Sequence, residues 1–123
     1  MKKVLIIEDE YSEVKIAFEY VKDIYFDNEL EYTVAVKSQD IPFGKIEDYD
    51  YVFVDIRLAN RSALDGYAIL CKIEKDHPNV KRVIILTGNS RIEEMMKERG
   101  VKNKYMILTK PVDTKDLRTI FSK

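Results

Sequence analysis

Tyr51-Val52-Phe53-Val54-Asp55 sets four β-branched or aromatic residues directly before an acid. Such a run predicts a strand buried on both faces, with a carboxylate delivered at its carboxyl end. Open α/β sheets place their chemistry just past those ends, where the chain connections diverge. A carboxylate at the edge of an apolar strand is costly unless a cation or a metal stands beside it. Taken alone, the same pattern also fits an aspartate that caps the next turn.

Working outward, three more short apolar runs end in polar groups. Val4-Leu5-Ile6-Ile7 leads into Glu8-Asp9, Val83-Ile84-Ile85-Leu86 into Thr87-Gly88, and Tyr105-Met106-Ile107-Leu108 into Thr109-Lys110-Pro111. Tyr32, Val34 and Val36 alternate with Thr33 and Ala35, which predicts a fifth strand. Between these runs the apolar spacing becomes helical. Val14, Ala17, Tyr20, Val21, Ile24 and Tyr25 mark one face, with Ser12 as candidate cap. Ile69, Leu70 and Ile73 mark a second face, in a helix ending around His77-Pro78. Ser90-Arg91-Ile92-Glu93 has the capping-box pattern and opens a stripe of Ile92, Met95 and Met96 closed by Gly100. Asp113 caps a last helix with Leu117, Ile120 and Phe121 inward. From 38 to 48, Pro42 and Gly44 allow only a short or irregular helix. Strands alternating with helices predict an α/β fold: a doubly wound, five-stranded parallel sheet with helices on both faces.

A length of 123 residues predicts one domain, residues 1–123, and no output domain is expected. A hydrophobic fraction of 46% and a charged fraction of 35% are those of a globular chain. A net charge of −1 supplies no global basic field, which argues against direct nucleic-acid binding. Met1-Lys2-Lys3 runs straight into a short strand rather than a signal-peptide apolar region, and no stretch approaches a membrane span. The single cysteine, Cys71, has no internal partner and reads as a small buried apolar residue of a cytoplasmic protein. His77 reads as a surface residue, and Met95 and Met96 as core contacts.

In the predicted fold, Glu8, Asp9, Asp55, Thr87 and Lys110 share one rim of the sheet. Three carboxylates at close range repel, and a divalent cation relieves the repulsion. Magnesium suits such a site because it takes hard oxygen ligands and keeps several waters. A cation, an ammonium and a hydroxyl around one carboxylate form a clamp for a phosphoryl group, with Asp55 as nucleophile.

Glu8-Asp9, the strand ending at Asp55, Asp65-Gly66, Val83 to Gly88, and Lys110-Pro111 occur in an order and spacing that resembles the receiver domain of two-component response regulators. The resemblance covers essentially the whole chain. It implies a flavodoxin-like receiver fold and a stand-alone, magnesium-dependent phosphoprotein. Such a protein acts in signal transduction or as a phosphorelay intermediate, and is not a conventional enzyme. It further implies that Asp55 is the phosphoacceptor, loaded by a sensor histidine kinase or a histidine phosphotransfer protein, with output through contacts to a downstream protein. Magnesium would be held by Glu8, Asp9, Asp55 and the backbone carbonyl of Arg57. Thr87, Gly88 and Lys110 would receive the phosphoryl group, and the Lys110–Pro111 bond would be cis.

The sequence departs from the family pattern in three places. The acidic pair is Glu-Asp where Asp-Asp is more usual. The loop from Asp55 to Gly66 is longer and lacks the usual proline, and its Arg57 and Arg61 read as solvated. Ile107 stands where an aromatic switch residue is usual, three positions before the lysine. Tyr105, on the same side of the strand, substitutes for it only if the register allows. Ile107 and the altered loop motivate a phosphorylation-independent receiver-like binding module as a second reading, and a third is a hydrolase with an aspartyl nucleophile. The latter lacks a second acid close after Asp55.

Overall fold

The computed structural model describes residues 1–57, 62–88 and 91–122. Five parallel strands form one sheet, β1 (Lys2–Ile7), β2 (Leu30–Ala35), β3 (Tyr51–Asp55), β4 (Val83–Thr87) and β5 (Met106–Thr109), in the order β2-β1-β3-β4-β5. The helices are α1 (Tyr11–Tyr25), α2 (Gly66–Asp76), α3 (Ile92–Glu98) and α4 (Thr114–Phe121). Between β2 and β3 the chain makes only two 3-10 turns, Ser38–Asp40 and Phe43–Asp48, as the proline and glycine there require.

Strand alternation splits the apolar residues between two layers. Leu5, Ile7, Val52, Val54 and Ile85 face the layer formed by the 3-10 turns, α2 and α3. Val4, Ile6, Tyr51, Phe53, Ile84 and Leu86 face α1 and α4. The second layer is knitted by aromatic edges, with Phe18 T-shaped on Phe53 at 5.1 Å and Phe121 T-shaped on Tyr51 at 5.0 Å. Such pairs add about 0.5–1.5 kcal/mol each beyond area burial.

The structure corrects several expectations. The inward stripe of α1 is Val14, Phe18 and Val21, while Tyr20, Ile24 and Tyr25 are exposed. The positions 14, 18 and 21 bury the large Phe18 ring, which the expected stripe leaves at its flank. Ser12 lies inside the first turn of α1, because the chain passes from β1 through Glu8-Asp9 straight into the helix with Glu10 at its cap position. There the acids complement the positive helix end instead. Tyr105 precedes β5, which runs on to Thr109. His77 is not a free surface residue but stacks on Phe43 at 5.8 Å, and Cys71 is half-buried, its thiol donating to the Arg99 carbonyl. Arg61 and Ser90, and with them the expected capping box, lie outside the described residues.

Residues 62–64, just before α2, are stitched down. Ser62 Oγ accepts from the Ser38 N–H, Ser38 Oγ accepts from the Leu64 N–H, and Gln39 Oε1 accepts from the Ala63 N–H. Asp65 then caps α2, accepting from the Ala68 N–H, and binds Arg99 at 2.6 Å. Gly66 is required here. A Cβ on it would lie 2.5 Å from Ile56 Cα and 2.6 Å from the Asp55 carbonyl oxygen. The start of α2 is thereby pressed against the backbone that carries Asp55.

Candidate functional site

The strands that end in polar residues lie side by side, so their carboxyl ends form one rim. β1 releases Glu8 and Asp9, β3 ends on Asp55, β4 on Thr87, and the turn after β5 supplies Lys110. A cleft of about 260 Å³ opens over this rim, lined by Asp9, Glu10, Asp55, Arg57, Thr87, Gly88 and Lys110 among others. The parallel register sets Thr109 beside Thr87 and Leu86 beside Asp55, which brings Lys110 to the level of the acids. The Lys110 N–H donates to the Thr87 carbonyl, and the Lys110–Pro111 peptide is cis.

Lys110 Nζ stands 2.6 Å from Glu8 Oε1 and 3.5 Å from Asp55 Oδ1. Glu8 is fully buried, and its second oxygen, Oε2, has no hydrogen-bond partner. Asp55 is 3% exposed, and its Oδ1 accepts the Arg57 N–H at 3.1 Å. Burial first, and the neighbouring Glu8 carboxylate second, push the Asp55 pKa up to about 7 against the pull of Lys110. Asp9 is raised by burial and by Asp55. Burial alone would lower Lys110, but Glu8 and Asp55 outweigh it and hold the ammonium above its ordinary value.

The residues fit a hard divalent cation. Glu8, Asp9 and Asp55 can each present an oxygen within 4.8 Å of the others, and the buried, unpartnered Glu8 Oε2 lacks a positive partner. Among the described residues, chain neighbours aside, no atom lies within 4 Å of where a Cβ would stand on Gly88, which leaves room beside Thr87.

The structure thus places Glu8, Asp9, Asp55, Arg57, Thr87, Gly88 and Lys110 together. Tyr105 stays apart. It lies four positions before Thr109, about 13 Å down the strand at roughly 3.3 Å per residue. Its hydroxyl donates to Glu74 Oε2 at 2.6 Å. Burial would raise Glu74, yet that bond and the Lys102 and Asn103 N–H donors bring it below its ordinary value. Sequence reasoning missed Glu10, whose pKa is raised by a hydrogen bond and charge repulsion from Glu13. The i, i+3 spacing of Glu10 and Glu13 at a helix start was the available signal.

The chain is similar to known proteins over nearly its whole length. The family model of the response regulator receiver domain matches residues 4–122. The cell cycle transcriptional regulator CtrA of Caulobacter vibrioides is 30% identical over 110 residues, covering 89% of this chain and 44% of that protein. The chain therefore spans less than half the length of this curated relative. The crystal structure of the receiver domain of NtrX from Brucella abortus superimposes with a TM-score of 0.69 at 28% identity, covering 97% of this chain and 94% of that one. A receiver domain of a DNA-binding response regulator from Colwellia psychrerythraea reaches a TM-score of 0.72 at 18% identity, a likeness of fold alone.

Proposed function

Since the chain belongs to the response regulator receiver domains, we propose that it acts in two-component signalling by accepting a phosphoryl group on Asp55. The observation that carries this reading is the buried Asp55 carboxylate at the sheet rim, with Lys110 at 3.5 Å and two further acids beside it. Receiver domains as a family work with magnesium at an acidic site. Here Glu8, Asp9, Asp55 and the Arg57 carbonyl would hold the ion, which when bound neutralises the acids and phosphoryl oxygens.

The reaction is a displacement at phosphorus. An Asp55 carboxylate oxygen forms the new P–O bond in line while the bond to the donor breaks, a P–N bond when the donor is a phosphohistidine of a kinase or phosphotransfer protein. The departing imidazole recovers its proton from solvent. Lys110 exchanges part of its contact with Glu8 for the phosphoryl oxygens, and the Thr87 hydroxyl and the open space at Gly88 receive the group. Signal passes on as a population shift of the surface beyond β4, read by a downstream protein.

Beryllofluoride with magnesium tests the reading without a phosphodonor. The account predicts amide shifts at Thr87, Gly88 and Lys110 in the native chain and none in Asp55→Asn. Absence of any response in the native chain favours a binding module that works without phosphorylation.

A further inference from the structure

The amino ends of β4 and β5 hold a second feature, at the opposite rim from the acids. A groove of about 860 Å³ opens between the segment entering β4 and the segment entering β5. Lys81, Arg82, Lys102 and Lys104 line it, and none of its lining residues is acidic. In a chain of net charge −1 this is a marked local excess of positive charge. Part of it is already matched: Lys81 stands 3.6 Å from Asp50, and Arg82 donates to the Tyr51 hydroxyl. Lys102 and Lys104 are exposed, and Lys102 also feels the Glu74 carboxylate that accepts its N–H, so Lys104 is left with no acid matched to it among these contacts. The floor is apolar. Ile84 and Ile120 are buried there, and Met106, paired in register with Ile84, is 45% exposed.

β5 is also the last strand of the sheet, and no strand among the described residues pairs with its outer edge. Unpaired N–H and C=O groups along such an edge recognise an extended polypeptide backbone.

We propose that this groove docks an acidic polypeptide segment carrying one apolar side chain. Its carboxylates would meet Lys81, Lys102 and Lys104, and its apolar side chain would cover Met106. A nucleic acid fits less well, because it would use neither the apolar floor nor the strand edge. The proposal is independent of the phosphoacceptor role of Asp55, since the groove lies at the other end of the strands.

The test is an NMR titration of the labelled chain with three probes: a short peptide of aspartates and glutamates around a central leucine, the same peptide with serine for leucine, and oligothymidylate. The leucine peptide should shift residues 81–84 and 102–106 and bind more weakly as salt rises. The double variant Lys102→Glu, Lys104→Glu should weaken it roughly tenfold. Met106→Ser should weaken the leucine peptide toward the serine peptide, and Asp55→Asn should bind like the native chain. No shifts, equal binding of the serine peptide, or tighter binding of oligothymidylate would overturn the proposal. So would concentration-dependent shifts at these residues without peptide, which would assign the groove to a second copy of the chain.

Discussion

Asp55 is a strand-end aspartate whose carboxyl sits among two other acids and one ammonium, with a pKa pushed up to about 7. Its ordinary value in an unfolded chain is about 3.9. The metal-free folded state therefore binds a proton that the unfolded state has already released between those values. The contribution of Asp55 to stability is full below about pH 4 and is lost as pH rises through 7. Asp55→Asn cannot ionise and escapes this loss. It should melt roughly 5 °C or more above the native chain at pH 8 and close to it at pH 4, without metal. Magnesium should narrow the gap at pH 8 by binding the native fold. A native chain that is equally stable at both pH values, relative to Asp55→Asn, would contradict the placement of these charges. Asp55 and the two β1 acids were legible in sequence because each ends an apolar strand run. The close approach of Lys110 to Glu8 was not, because it depends on how far a glutamate side chain reaches across the rim.

Among the elements, α2 packs directly against the backbone that carries Asp55. Gly66 presses its first turn onto the backbone of Asp55 and Ile56, so Gly66→Ala should cost roughly 1–3 kcal/mol by overpacking. Urea unfolding should show the loss, and the amides of 55–57 should shift; a silent substitution would mean the contact is looser than 2.5 Å implies. The far half of α2 grips the segment before β5 through Glu74, which accepts from Tyr105, Lys102 and Asn103. Tyr105→Phe should cost about 1 kcal/mol and leave the rate of labelling at Asp55 unchanged, since Tyr105 does not reach the rim. A large loss of labelling would return Tyr105 to the switching machinery. Periodicity located every helix, including the α4 face of Leu117, Ile120 and Phe121. It misjudged the face of α1, because Tyr20, Ile24 and Tyr25 mimic a core stripe while Phe18 takes the buried place. Only packing against Phe53 settles which stripe turns inward.

Over the whole molecule, the parallel sheet sorts charge by strand end. Acids and one lysine gather at the carboxyl rim, and lysines and an arginine line the groove at the amino ends of β4 and β5. The fold class and strand ends could be read from apolar runs and the residues that close them. The strand order β2-β1-β3-β4-β5 brings the ends of β1, β3 and β4 next to each other, the arrangement on which the proposed phosphoryl transfer depends. The basic groove was invisible in the sequence because Lys81 and Lys104 are far apart along the chain and meet only through the pairing of β4 with β5.

The measurement that tests the central claim most directly is intact mass after incubation with acetyl phosphate and magnesium, beside Asp55→Asn and a chelator control. The account predicts one added phosphoryl group on the native chain, absent in both controls. An adduct that persists on Asp55→Asn, or a native chain that takes no phosphoryl group and gives no beryllofluoride response, would contradict it.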